Sequence, residues 1–166
     1  MEIVMNTKRI AALAALIIAL GLSAFGQATT EAAMPLITIE NGYSAGFNVG
    51  NSKIGNAFEI VLGLGLTDRI QAQTIFIQGD GANFDTYRLL GLAYGVLPRI
   101  GVITMMGLDT TAAASVAGLG LYSNLFTRNV AGSLQTGLRL KLDYIAPVTS
   151  FATGLLRFGL AAYVGM

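Results

Sequence analysis

Apolar and polar residues alternate with a period of two along much of the chain. In 134–144, Leu134, Thr136, Leu138, Leu140, Leu142 and Tyr144 share one parity, and Gln135, Gly137, Arg139, Lys141 and Asp143 share the other. In 58–66, Phe58, Ile60, Leu62, Leu64 and Leu66 oppose Glu59, Val61, Gly63 and Gly65. In 156–164, Leu156, Phe158, Leu160 and Val164 oppose Arg157, Gly159 and Ala161. Successive side chains of a strand leave opposite faces, so this period predicts strands. One face is almost wholly apolar; the other mixes glycine with charge. A soluble barrel of the lipocalin kind turns its polar faces outward. Here the Leu-rich faces would have to meet lipid, and the mixed faces suit a narrow interior.

The strands recur on a fixed beat. Leu66-Thr67-Asp68-Arg69-Ile70, Val96-Leu97-Pro98-Arg99-Ile100 and Phe126-Thr127-Arg128-Asn129-Val130 begin thirty positions apart. Each runs from an apolar residue through a short break bearing an Arg to a β-branched residue. A spacing of about thirty matches two strands of about ten residues plus their loop. Stepping back thirty from Thr67 reaches Ile37. The expected units are 37–66, 67–96, 97–126 and a longer 127–166, four hairpins and so eight strands. Between the Arg-bearing breaks lies a second, more polar set: Asn51-Ser52-Lys53, Gly79-Asp80-Gly81-Ala82-Asn83, Asp109-Thr110-Thr111 and Pro147-Val148-Thr149-Ser150. Gly reaches positive φ, Pro fixes φ, and Asn, Asp and Ser bond nearby backbone, so these are turns. The two sets alternate as the two rims of an up-and-down barrel must. With both termini in the periplasm, Arg69, Arg99 and Arg128 are periplasmic-turn cations that anchor the interface, and the second set forms short outer loops. Aromatic residues fall near strand ends, with Phe58, Phe76, Phe84, Tyr144 and Phe151 toward the outer rim and Tyr94 and Phe126 toward the inner. That placement suits an interfacial girdle.

Ahead of the strands, Lys8 and Arg9 precede an apolar run from Ile10 to Leu22, followed by Ser23-Ala24-Phe25-Gly26-Gln27-Ala28. This is the order of a cleavable secretory signal peptide. The run is short against the roughly twenty residues that span a bilayer. Cleavage after Ala28 or after Gly26 places small residues at both recognition positions, and Met5 begins a cleaner positive region than Met1. The expected organisation is a signal peptide at 1–28, a short segment at 29–36 and a transmembrane β-barrel at 37–166, exported to an outer membrane.

Composition agrees with a membrane. Hydrophobic residues make up 54% and charged residues 11%, with a mean hydropathy of +0.64. A charged fraction less than half the usual quarter leaves too little polar surface for a soluble domain. The 21 glycines weigh against helices. A helical integral membrane protein is the rival reading, through Leu89–Leu108 and Ala112–Phe126. Pro98-Arg99 interrupts the first stretch. Arg139, Lys141 and Asp143 would burden a third helix by about 2.5–3.5 kcal/mol each.

The eight strands and leader make the chain resemble small outer-membrane barrels of the OmpA/OmpX type over nearly its whole length. Arg157-Phe158-Gly159-Leu160-Ala161-Ala162-Tyr163-Val164 also resembles the insertion signal of last barrel strands, although Met166 stands where such barrels commonly carry an aromatic. The resemblance implies the outer-membrane insertion machinery and the lipid bilayer as partners.

Candidate chemistry is confined to the interior. Glu59, Arg139, Lys141, Asp143 and Arg157 share the inward parity and form the expected lumen charge cluster. A last hairpin turning around Val148 sets Arg139 opposite Arg157 and Asp143 nearer the outer rim, with Glu59 and Asp143 as the available carboxylates. The cluster reads either as a plug of mutually satisfied charges or as a narrow polar path. The inward glycines Gly63, Gly65, Gly91, Gly95, Gly118 and Gly120 allow close packing. Gly63-Leu64-Gly65 and Gly118-Leu119-Gly120 lie within strands and are not phosphate loops. Arg88 shares parity with Leu90 and Leu92, so it either faces lipid and reaches the headgroups or marks a bulge.

The chain has no His and no Cys. That removes the commonest general base and metal ligands, and no cofactor, metal site or catalytic residue is expected. Removing Lys8, Arg9 and Glu2 from ten cations and nine carboxylates leaves eight of each, with no basic field for nucleic acid. The expected function is a non-enzymatic structural or surface barrel with a side-chain-filled lumen. The alternatives are a narrow pore or small-solute channel, and a barrel that packs its wall against another membrane protein.

Overall fold

A computed structural model describes residues 34–166; the expected signal peptide at 1–28 and the start of the segment at 29–36 lie outside the described residues. The strands are β1 (Ile37–Asn48), β2 (Lys53–Gly65), β3 (Ile70–Gly79), β4 (Tyr87–Leu97), β5 (Ile100–Asp109), β6 (Ala114–Ala131), β7 (Leu134–Pro147) and β8 (Leu155–Gly165). They form one closed barrel in sequence order, every neighbour antiparallel, with β8 pairing back onto β1. An all-β, eight-stranded, up-and-down barrel is therefore the architecture. β1 begins at Ile37, where the thirty-residue beat placed it. Closure leaves no sheet edge along the paired length of the wall, so the backbone satisfies itself there.

Side chains follow the alternation. Thr38, Glu40 and Ser44 of β1 are buried inside, while Ile37, Ile39 and Tyr43 are exposed outside. The parities read for 58–66, 134–144 and 156–164 all hold, with the Leu-rich members outward. Leu89–Leu108 and Ala112–Phe126, the stretches a helical reading would use, form β4, β5 and most of β6. No helix among the described residues is long and apolar enough to cross a membrane.

One rim carries the described residues that precede β1, the end of β8 and the turns β2–β3, β4–β5 and β6–β7 (the termini rim). The other carries the loops β1–β2, β3–β4, β5–β6 and β7–β8 (the loop rim). All four expected polar breaks fall at the loop rim. Two of the three Arg-bearing breaks are turns, at 66–69 and 98–99.

The third is not. Phe126–Val130 lies within β6, which runs on to Ala131, and the turn is made at Gly132-Ser133. Thr127, Arg128 and Asn129 are polar but include no residue that forces a reversal. Gly132 does so with φ +54°, a left-handed conformation that glycine adopts without steric penalty. Two bulges, at Asn124/Phe126 and Asn129/Ala131, absorb the extra length. Arg128 is thus an exposed strand residue opposite Thr136, not a turn cation.

The last hairpin also differs in register. Arg139 pairs with Ala161, and Asp143 pairs with Arg157, so the hairpin is centred at 150 and not at 148. The short 3-10 turn Phe151–Thr153 supplies the extra residues. It is tied down by the Tyr144 hydroxyl, which donates to the Phe151 carbonyl and accepts from the Gly154 amide at 3.1 Å. Moving the centre by two residues moves the pairing by four.

Candidate functional site

The lumen has two unlike halves. β3 to β6 contribute mainly apolar side chains, among them Ile75, Ile77, Leu89, Ile103, Met105 and Val116, all buried. These large side chains fill their half of the barrel, as eight strands leave room for little else. The inward glycines are where neighbours press closest: the Tyr122 ring occupies the place a Cβ on Gly101 would need.

β1, β2, β7 and β8 contribute the connected charges, apart from Asp109, which is buried at the loop-rim end of β5. Arg157 sits on β8 with its guanidinium almost wholly buried, and it grips Asp143 of β7 through Nε to Oδ1 at 2.8 Å and Nη2 to Oδ2 at 2.8 Å. This is the fork-to-fork geometry that favours Arg with carboxylate. Nη2 also reaches Glu59 Oε2 on β2 at 3.0 Å, and Nη1 donates to Ser44 Oγ at 3.4 Å. The other Glu59 oxygen accepts from Lys141 Nζ at 2.6 Å. Lys141 Nζ lies 3.2 Å from Glu40 Oε2, an oxygen that makes no hydrogen bond and is held by this charge contact alone. Glu40 Oε1 accepts from Arg139 Nη1.

Arg139 closes the series. Its Nε donates to Asn124 Oδ1 at 2.8 Å, and its guanidinium lies over the rings of Tyr122 at 4.5 Å and Tyr163 at 4.9 Å. Such stacking adds cation–π attraction, which is stronger for buried groups such as these. The order is Asp143, Arg157, Glu59, Lys141, Glu40, Arg139, with signs alternating throughout. Three carboxylates meet three cations, so the chain of charges is neutral.

All five residues of the expected lumen cluster are therefore brought together. The supposed opposition of Arg139 to Arg157 is replaced by a stack in which a carboxylate separates each pair of cations. Glu40 was missed, yet it was readable: Ile37 and Ile39 oppose Thr38 and Glu40 in the alternation that marks the other strands. Glu59 and Asp143 both bind Arg157, so neither is an unengaged acid or base.

At the loop rim the β3–β4 loop packs one of its side chains back against the wall. Phe84 turns inward and is buried, against the expectation that it belongs to an outward girdle. Its ring lies where a Cβ on Gly46 or Gly55 would fall, so these glycines make its seat. Asp80 shapes the loop: Oδ1 accepts from the amides of Ala82 (3.0 Å), Asn83 (2.8 Å) and Phe84 (3.0 Å), and Oδ2 from Asn56 (3.1 Å). The hydrogen bonds from Asn83 and then Asn56 lower its pKa to about 2. In the same loop, burial and then the neighbouring Asp109 carboxylate hold Asp85 above its usual range.

Outside, Phe58, Phe76, Phe151, Tyr94 and Phe126 face outward and are exposed, as a girdle requires. Arg88 also faces outward between Phe76 and Leu108, with no bulge in either adjoining ladder at that point. Arg69 and Arg99 sit in termini-rim turns, as expected. Among the described residues no group of acidic side chains has the arrangement to hold a metal ion.

No family model matches the chain, and no curated protein is similar to it in sequence. Among solved structures, one described as "De novo design of transmembrane beta-barrels" aligns with a TM-score of 0.48 and 16% identity, over 78% of this chain and 97% of that one.

Proposed function

We propose that the chain is an integral outer-membrane β-barrel protein with a structural or surface role, no enzymatic activity and a lumen filled by its own side chains. The observation that carries this reading is its inside-out distribution of polarity. Arg157, Glu40 and Glu59 are buried within the barrel, while Leu62, Leu64, Leu90, Leu92, Leu119 and Leu121 are about half or more exposed on its outside. In water that wall would be a contiguous apolar surface far larger than monomeric soluble proteins show. Against lipid it is the ordinary outer face of a barrel, and the closed ladder pairs the backbone of the wall except at its few bulges.

The apolar half of the lumen, the neutral ion chain and the inward Phe84 favour a filled barrel over a pore. Export through the leader at 1–28 and insertion by the outer-membrane machinery belong to this reading, with the termini rim in the periplasm. Planar-bilayer recording on refolded protein tests it. Baseline current is expected, and steady, reproducible conductance steps would overturn the filled-lumen reading in favour of a narrow channel. Heat-modifiable gel migration with a β-type circular dichroism spectrum tests the membrane barrel itself.

A further inference from the structure

Outward side chains in the middle of the wall are apolar with few exceptions. Thr74, Thr104 and Asn41 are the polar ones that lie well away from both rims, as judged by their places in β3, β5 and β1. A threonine brings one hydroxyl, which a strand carbonyl can satisfy; Thr104 Oγ1 lies 3.5 Å from the Leu92 carbonyl. A carboxamide is different, because it brings two N–H donors and a carbonyl. Asn41 is exposed, and among the described residues no group hydrogen-bonds its side chain.

Its neighbours across the ladders are Ile60 on β2 and Ala162 on β8. Ile37 and Ile39 lie between Asn41 and the termini rim, and Tyr43 lies on its other side. An asparagine side chain is too short to reach headgroups past two isoleucines. In lipid its hydrogen-bonding groups would therefore stay unmet, which proteins avoid. The small methyl of Ala162 beside it leaves the carboxamide accessible from outside.

We propose that this face, β8–β1–β2, is where a second copy of the same chain docks in the bilayer, with Asn41 hydrogen-bonding Asn41 of the other copy. A carboxamide is its own complement, donor to acceptor and acceptor to donor, so a two-fold axis through this point satisfies both partners at once. That is the isologous contact of a symmetric dimer. Lipid supplies no hydrophobic force between walls, and a polar pair beside small residues is a recognised source of attraction there. The proposal rests on the membrane reading above.

The chain has no Cys, so single-cysteine variants report cleanly. The full-length chain, expressed for export and reconstituted in phosphatidylcholine vesicles at low protein-to-lipid ratio, is first checked for heat-modifiable migration. Ala162→Cys is expected to cross-link into dimers under mild oxidation, and Leu92→Cys, on β4, is not. Adding Asn41→Leu to Ala162→Cys is expected to weaken dimerisation about tenfold with migration unchanged. Folded, inserted protein that stays monomeric, cross-links equally at 162 and 92, or ignores Asn41→Leu overturns the dimer and leaves the membrane reading standing. Failure of the parent to insert overturns both.

Discussion

Glu40 is the residue whose removal most directly tests the ion chain. It is fully buried and, among the described residues, is the only carboxylate that forms an ion pair with Arg139, with Lys141 as its second partner. In Glu40→Gln the neutral series of three carboxylates and three cations becomes a cluster of net +1. Lys141 keeps Glu59 at 2.6 Å, but Arg139 retains only Asn124 and two tyrosine rings. Breaking a buried pair by removing one partner costs about 3–5 kcal/mol, because the other charge remains in a place from which water is excluded. The chain has no Trp, so urea unfolding in micelles or vesicles is best followed by far-ultraviolet circular dichroism and by the heat-modifiable gel shift. The paired variant Glu40→Leu with Arg139→Met restores neutrality and apolar volume, and it is expected to recover more than half of the loss. A Glu40→Gln cost below about 1 kcal/mol, the range of solvent-exposed pairs, would mean that water reaches the cluster and that the filled-lumen argument fails.

Three other outcomes follow from the geometry. Phe84→Ala empties the seat formed at Gly46 and Gly55 and is expected to destabilise the barrel by about 3 kcal/mol in the same urea assay. Gly101→Val pushes a branched side chain into the Tyr122 ring and is expected to cost about 1–3 kcal/mol, whereas Ile100→Val next to it changes little. Asp80 holds its loop as the ionised carboxylate, and its folded pKa lies below the ordinary 3.8. Its contribution is therefore whole above that value and is lost as pH falls through about 2. The amide signals of Ala82, Asn83 and Phe84 should shift through that range by nuclear magnetic resonance, and Asp80→Ala should abolish the transition.

Much of the barrel was legible in the sequence because alternation and turn chemistry are local properties. Leu138 and Leu140 against Arg139 and Lys141 assign faces without any knowledge of neighbours. Register is not local. Whether Arg139 meets Arg157 or Ala161 depends on how many residues the β7–β8 connection consumes, and that is decided by Tyr144 capturing the backbone at Phe151 and Gly154. The extension of β6 was hidden for a similar reason. Thr127 Oγ1 lies 2.5 Å from the Tyr163 hydroxyl of β8, a contact over Gly137 of the intervening β7 that ties Phe126–Val130 into the wall where a turn was expected. Phe84 looked like a girdle residue because its inward turn depends on two glycines in other strands. Glu40 is different, since its alternation with Ile37 and Ile39 was present in the sequence all along.

The ion chain lies where the first two strands meet the last two. Glu40 and Arg139 are 99 residues apart, Glu59 and Arg157 are 98 apart, and Ser44 and Arg157 are 113 apart. The apolar half, β3 to β6, is assembled from consecutive hairpins with short loop closures. Contacts between distant residues carry the larger entropic penalty and form late. The charges thus act as a clasp that engages once the sheet has curled round on itself, and a mis-registered β8 would leave them unmatched. Stability drawn from a late clasp appears mainly as slow opening. Stopped-flow measurements on Glu40→Gln should find unfolding accelerated and the rate of folding nearly unchanged, and a folding rate slowed in proportion would place the clasp early.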